Sequence, residues 1–207
     1  DPDSLGEAGD PPQWRTEGLK VLFVGDLRTF KGVATLCRAM RLLLDRGAAA
    51  EALLVGGQYP VDDHWVDEMI SEYDVAECVR RTGKIPKSSV IAAYREADVF
   101  ICPSFHEGSP RVVKEALLCG CPVIASDIPG VRVIDPDAEV VTYFDPGDAD
   151  ALCARLQQFA EQPSQDDAFD ERARTVVHRF TPDKIAARFA DLYDDLIAQA
   201  KLTATHT

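Results

Sequence analysis

The sequence predicts an α/β fold: a Rossmann-like, doubly wound parallel sheet covered by helices on both faces. Two observations carry that expectation. Short apolar runs recur at Leu19–Gly25, Glu51–Gly57, Asp98–Cys102 and Pro122–Ala125, each bounded by turn residues, as buried strands are. Between them lie stretches with apolar residues at helical spacing, so strands and helices alternate. A chain of 207 residues is long enough for one well-cored domain, with about two-thirds or more of its unfolded surface buried. Its 46% hydrophobic and 28% charged content fit a soluble globular protein. Lys+Arg 22 against Asp+Glu 35 gives a net charge of −13, which argues against nucleic acid or direct contact with an anionic membrane. No run approaches the ~18 apolar residues of a membrane span, and no signal peptide opens the chain, so a cytoplasmic location is expected. Peripheral membrane association through a part of the protein absent from this chain stays open.

Residues 1–18, rich in Asp, Pro, Gly and Glu, are expected to be a linker or tail, which suggests a piece cut from something longer; residues 19–207 form the domain. Leu19–Gly25 is the first strand. Asp26–Lys31 turn, and Gly32 leads into a helix with Val33, Leu36, Ala39, Met40 and Leu43 on its apolar side, stopping at Arg46-Gly47. Glu51–Gly57 is the second strand, residues 58–63 a loop, and Asp62–Tyr73 a helix. Val79–Pro86 gives a short strand and turn, and Pro86–Arg95 a helix. Glu139–Phe144 is a further strand, and Asp145–Asp148 turn into a helix through Phe159. A polar segment at 161–167 precedes a helix over about Ala168–Arg179. The last helix is capped by Thr181, started by Pro182, and striped by Ile185, Phe189, Leu192, Tyr193, Leu196 and Ile197. Six scattered cysteines lack metal or redox spacing, so they are expected as reduced, mostly buried thiols.

The most informative stretch is 102–125. After the strand at Asp98–Cys102, Ser109 is placed as a helix N-cap and Pro110 as the first helical residue, and Gly120 ends the helix before Pro122–Ala125 resumes a strand. Such a helix start aims backbone N–H groups and a positive dipole end at one spot, where a phosphate fits. Glu107 lies in the turn and Glu115 on the helix, about 9 Å along the axis from Ser109 at ~1.5 Å per residue. Two carboxylates flanking a phosphate suit a nucleotide sugar, with hydroxyls on both sides of its diphosphate. The plainer reading is a solvated helix residue and a turn residue. The Lys31, Gly83–Pro86 and Glu107 turns all follow strands, so a doubly wound sheet puts them on one edge. His106 is an exposed turn histidine or a catalytic neighbour of Glu107. His64 and His178 have no Ser or Asp constellation of a hydrolase triad, and no Asp/His cluster has metal spacing.

Ser104-x-x-Glu107-Gly108-x-Pro110-x-x-x-x-Glu115-Ala116-x-x-x-Gly120-x-Pro122-Val123 resembles the signature of retaining glycosyltransferases of the GT-B fold, glycosyl transferases group 1, family 4. This large family includes sucrose synthases and bacterial mannosyl- and glucosyltransferases. Gly25-Asp26-Leu27-Arg28-Thr29-Phe30-Lys31-Gly32 resembles the family's Gly-Arg-Leu-x-x-x-Lys-Gly stretch. The resemblance covers about residues 19–200 and implies the C-terminal, donor-binding half of a two-domain enzyme, its acceptor domain preceding residue 1. The implied reaction moves a sugar from a UDP-, GDP- or ADP-linked donor to an acceptor hydroxyl with retention, without metal or other cofactor. Lys31 would bind the diphosphate and stabilise the leaving group, assisted by Arg28 and the backbone N–H groups of Gly108 to Pro110, Ser109 included. Glu107 would hold donor-sugar hydroxyls and Glu115 the ribose hydroxyls. Gly25 would border the diphosphate, and Gly83-Lys84-Ile85-Pro86 would face the base. Two positions depart from the pattern. Asp26 stands where the family commonly has an arginine, and Val133 or a neighbour where the loop after Ser126–Gly130 usually carries a glutamate. A degenerate donor-binding domain without catalysis, another GT-B enzyme such as an epimerase or phosphorylase, and a flavodoxin-like interaction module are the alternatives. The final helix would lean on the acceptor domain or pack on its own.

Overall fold

A computed structural model describes residues 9–57, 64–161 and 168–204. Its six strands are β1 (Leu19–Val24), β2 (Ala50–Val55), β3 (Val79–Gly83), β4 (Val99–Cys102), β5 (Val123–Ser126) and β6 (Val141–Phe144). Every recorded pairing is parallel, in the order β3-β2-β1-β4-β5-β6. The helices are α1 (Val33–Asp45), α2 (Trp65–Glu72), α3 (Lys87–Glu96), α4 (Arg111–Leu118), α5 (Pro129–Arg132), α6 (Ala149–Glu161), α7 (Phe169–His178) and α8 (Pro182–Ala204). The expected Rossmann-like sheet is present. Its order reverses between β1 and β4, so the connections leaving those strands diverge and open a crevice at their carboxyl ends.

Side-chain alternation explains why the strands read as unbroken apolar runs. Val21, Phe23, Leu54 and Ile101 face one core, with Leu36 and Met40 of α1 and Leu152 and Leu156 of α6. Leu22, Leu53, Phe100 and Ala125 face the other, with Tyr94 of α3, Val113 and Leu117 of α4, and Val176 of α7. Leucines fully buried in this way each contribute about 1.5–3 kcal/mol of transfer free energy. All six thiols are free, and Cys119 alone is not fully buried.

Where boundaries move, a side chain explains it. The expected strand from Glu139 begins instead at Val141, because the buried Asp135 carboxylate accepts the N–H groups of Glu139, Val140 and Val141 at 3.1, 2.9 and 2.8 Å. These bonds fold the chain around one acid before it can enter the sheet. The loop after Ser126 contains the short helix α5, with Pro129 at its start. Thr181 does precede α8, and its carbonyl accepts the Ile185 N–H at 3.0 Å. Its hydroxyl, however, looks back and donates to the His178 carbonyl at 3.2 Å. The described part of the expected linker carries no helix or strand and lies on the domain: Gly9 N–H donates to the Ser88 carbonyl at 2.9 Å and Arg15 N–H to Glu51 at 2.6 Å. The loop at 58–63 and most of the polar segment at 161–167 lie outside the described residues, and the helix expected from Asp62 is seen from Trp65. Ile185, Phe189, Leu192, Tyr193, Leu196 and Ile197 of α8 are exposed. Their stripe does not bury itself in this domain.

Candidate functional site at the sheet switch point

Lys31 follows β1 and Glu107 follows β4, the two strands between which the sheet order reverses. The Lys31 ammonium meets Glu107 Oε1 at 2.6 Å, with side chains 20% and 11% exposed. Residues 76 apart in sequence thus form one charge-assisted contact across the crevice. Ser104, which the sequence reading passed over, donates its hydroxyl to the same oxygen at 2.8 Å.

Backbone packing holds this pair in place. The turn Thr29–Lys31 is a single 3-10 turn closed by Gly32 at φ 72. A Cβ on Gly32 would lie 1.9 Å from the Pro103 carbonyl oxygen, so only glycine lets the two loops touch. Next to that contact the Phe105 N–H donates to the Phe30 carbonyl at 2.8 Å. From the β5 side Gly130 presses on the Glu107 backbone, where a Cβ would lie 1.8 Å from the carbonyl oxygen. Three loops therefore fix the height of Glu107 above the sheet.

The remaining expected residues fall into two groups. Gly25, at the end of β1, donates its N–H to the Val55 carbonyl at 2.9 Å, and Leu27 N–H reaches the Gly57 carbonyl at 2.8 Å. Gly56 N–H bonds the Gly83 carbonyl at 3.0 Å, and the Lys84 stem lies so close to Gly57 that a Cβ there would meet its Cε at 2.5 Å. Ile85 is half-buried against the second core. The loops after β1, β2 and β3 are thus laced together, and Gly25, Lys84 and Ile85 belong to one rim. Arg28 opens the Lys31 turn, accepting the Lys31 N–H on its carbonyl at 2.9 Å, and Asp26 is exposed on the same turn.

The other group starts α4. Pro110, not Ser109, takes the cap position, with ψ 121, because the proline ring is content in extended backbone just before a helix. Pro110 also carries no N–H. The amides that this helix start can offer a ligand are therefore those of Gly108 and Ser109 with the first-turn amides of α4, Arg111 onward, which have no partner within the helix. The Ser109 hydroxyl is drawn instead to the Lys114 ammonium, 3.0 Å away. Burial, and then Arg111, hold that ammonium below the ordinary lysine range. Glu115 is half-buried on α4 with no recorded bond to the Lys31–Glu107 pair. Its charge adds to the burial that pushes the Tyr94 phenol far up. Val133, which with its neighbours was expected where the family's loop carries a glutamate, is 47% exposed. His106 is exposed. Among the described residues no group of three or more His, Cys, Asp or Glu side chains is placed to hold a metal ion, and no helix is long and apolar enough to cross a membrane.

Cavity volume alone points elsewhere. A space of about 790 Å³ opens at the amino edge of the sheet, between Leu19, Asp98 and Pro122. Glu17, Glu96, Asp98 and Asp170 line it, with Arg95 as its one basic side chain, so a diphosphate is repelled there. The carboxyl edge offers the Lys31 ammonium and the start of α4.

Comparison with known proteins agrees with the fold. Sucrose-phosphate synthase from Thermosynechococcus elongatus superposes with a TM-score of 0.71 at 30% identity, over 88% of this chain and 46% of that one. The Anabaena protein HepE, solved with UDP and glucose, superposes at 0.70 with 21% identity, over 86% of this chain and 48% of that one, a likeness of fold. D-inositol 3-phosphate glycosyltransferase of Corynebacterium glutamicum is 31% identical over 187 residues, 86% of this chain and 44% of the relative. The chain spans less than half the length of each. The family model for glycosyl transferases group 1 matches residues 9–176. With its sheet, its Glu107–Glu115 motif and these matches in agreement, the chain belongs to the glycosyl transferases group 1 family.

Proposed function

We propose that the chain is the nucleotide-sugar-binding half of a retaining hexosyltransferase. The observation that carries this reading is the Lys31–Glu107 pair bridging the crevice between β1 and β4. Lys31 binds the donor diphosphate and offsets the charge that builds on it as the glycosidic bond breaks. The amides of Gly108, Ser109 and the first turn of α4 share that charge. Glu107 accepts hydroxyls of the donor sugar, Glu115 those of the ribose, and the Gly83–Pro86 turn, with Lys84 and Ile85, borders the base. Gly25 and Arg28 line the diphosphate side. Neither glutamate acts as a covalent nucleophile: the acceptor hydroxyl arrives on the face of the leaving group, which hydrogen-bonds it as it attacks. No metal enters this scheme. A solved relative with UDP and glucose bound, although similar only in fold, supports the ligand class.

In this reading the acceptor site belongs to a further, N-terminal domain; that the chain spans 44% of the Corynebacterium enzyme is in keeping with it. The exposed apolar stripe of α8 is where that domain leans. Any peripheral membrane contact belongs to it too. Asp26 and Val133 favour a second reading, a domain that binds nucleotide sugar without catalysis.

Calorimetric titration with UDP, GDP, ADP and their glucose and mannose conjugates tests the proposal, with Lys31→Ala and Glu115→Ala as controls. Saturable binding to one base, weakened about tenfold or more by each change, is expected. The isolated chain should transfer little or no sugar. Robust transfer without a second domain, or binding indifferent to both changes, would overturn the assignment.

A further inference from the structure

Among the described residues Glu107 meets two side-chain hydrogen-bond donors, and both reach one of its oxygens. Lys31 Nζ lies 2.6 Å from Oε1 and the Ser104 hydroxyl 2.8 Å from the same atom. Ser104 is 1% exposed, so water does not compete for its hydroxyl. Behind it, the Cys102 thiol donates to Ser104 Oγ at 3.9 Å. A serine hydroxyl has a single hydrogen and two lone pairs. With the thiol occupying a lone pair, that hydrogen goes to Glu107. The thiol remains a donor at neutral pH, because burial, and then the Glu107 charge, push it up to about 11. A one-way chain of donors thus runs from the last residue of β4 to the carboxylate.

We propose that Ser104 is a positioning residue for Glu107: with Lys31 it pins Oε1, so that Oε2 is presented to the hydroxyls of the donor sugar. The inference rests on the donor-binding reading above. A glutamate has three rotatable bonds, and a carboxylate free to turn must be ordered when ligand binds, at a cost in affinity. Here the ordering precedes the ligand. The Gly130 contact fixes the Glu107 backbone, the Ser104 hydroxyl fixes the far end of the side chain, and together they leave the carboxylate one orientation. Lys31 alone does not suffice. It must also serve the diphosphate, and a flexible lysine drawn toward phosphate would carry an unanchored Glu107 with it. Ser104 lets the ammonium turn to the phosphate while the carboxylate stays with the sugar.

The test separates sugar recognition from nucleotide recognition. Wild type, Ser104→Ala and Ser104→Thr are each titrated with UDP, GDP and ADP and with the glucose and mannose conjugates, and thermal unfolding is followed for each. The quantity read is the ratio of affinities for the conjugate and its bare nucleotide. Ser104→Ala is expected to lower that ratio about tenfold while bare-nucleotide affinity stays within about twofold, and Ser104→Thr, which keeps the hydroxyl, to restore it. If alanine prevents folding, Ser104→Cys, close in size and a poor donor, takes its place with the same expectation. An unchanged ratio in a wild type that does bind the conjugate overturns the positioning role alone. Equal losses for conjugate and bare nucleotide, with lowered unfolding temperature and no rescue by threonine, overturn it as well and make Ser104 a structural residue. A wild type that binds neither a nucleotide nor its conjugate overturns the donor-binding reading, and this inference with it.

Discussion

Lys31 and Glu107 are each other's partner across the crevice, and in the proposed function each holds a different part of the donor. Removing one leaves the other half-buried and less well paired, so either alanine change should cost stability as well as affinity. Asp26 is the residue whose effect is easiest to sign. An exposed carboxylate on the turn proposed to bind the diphosphate opposes an anion, whereas arginine there would offer a fork of donors. Asp26→Arg should therefore tighten bare nucleotide diphosphate binding about five- to tenfold by titration, and unchanged affinity would remove Asp26 from the site. Lys31, Glu107, Gly108 and Glu115 were singled out in the sequence by motif spacing, and the fold brings Lys31 and Glu107 together. The role of Ser104 was not legible there: it sits inside the same motif, but the atom its hydroxyl reaches depends on how the three-residue turn folds. The helix cap was misplaced by one residue for a related reason. Both Ser109 and Pro110 suit a helix start, and only the fold decides that Lys114 takes the serine hydroxyl.

At the scale of elements, β1, β2, β4 and β5 were legible because each is a run of four to six residues buried on both faces or nearly so, whereas the edge strand β3 has only Val79 buried and was read from its place before the Gly83–Pro86 turn. Strand ends were less legible, since Asp135 holds three amides that would otherwise extend β6. The join between the Lys31 turn and α1 makes a sharp test of loop packing. Gly32 combines φ 72 with a carbonyl 1.9 Å from where a Cβ would lie, whereas Gly47, at φ 76, has nothing within 4 Å. Gly47→Ala should cost about 1 kcal/mol, the left-handed penalty alone. Gly32→Ala should cost more than about 2 kcal/mol and also weaken nucleotide binding, because the loop carrying Lys31 must retreat from Pro103. Equal unfolding shifts in the two variants would show that the loop contact is not tight. For α8 the apolar stripe was legible from its spacing, but no local pattern says which partner covers it. The structure leaves it exposed beside a space of about 620 Å³ bordered by Gly108, Lys114 and Phe180.

For the whole molecule, a net charge of −13 and the proposed polyanionic ligand are reconciled by placement. The amino edge gathers Glu17, Glu96, Asp98 and Asp170, while the crevice at the carboxyl edge holds Lys31 and the start of α4. The alternation of strands and helices that predicted the fold also predicted which edge, because every turn that follows a parallel strand lies at the same end. The central claim is therefore one of location, and amide hydrogen exchange with and without the nucleotide sugar that titration selects tests it most directly. Protection is predicted at the amides of residues 26–32, 83–86 and 107–115, with none at Leu19, Asp98 or Gly120. Protection confined to the amino edge, with the Lys31 and Glu107 loops unchanged, would contradict the account.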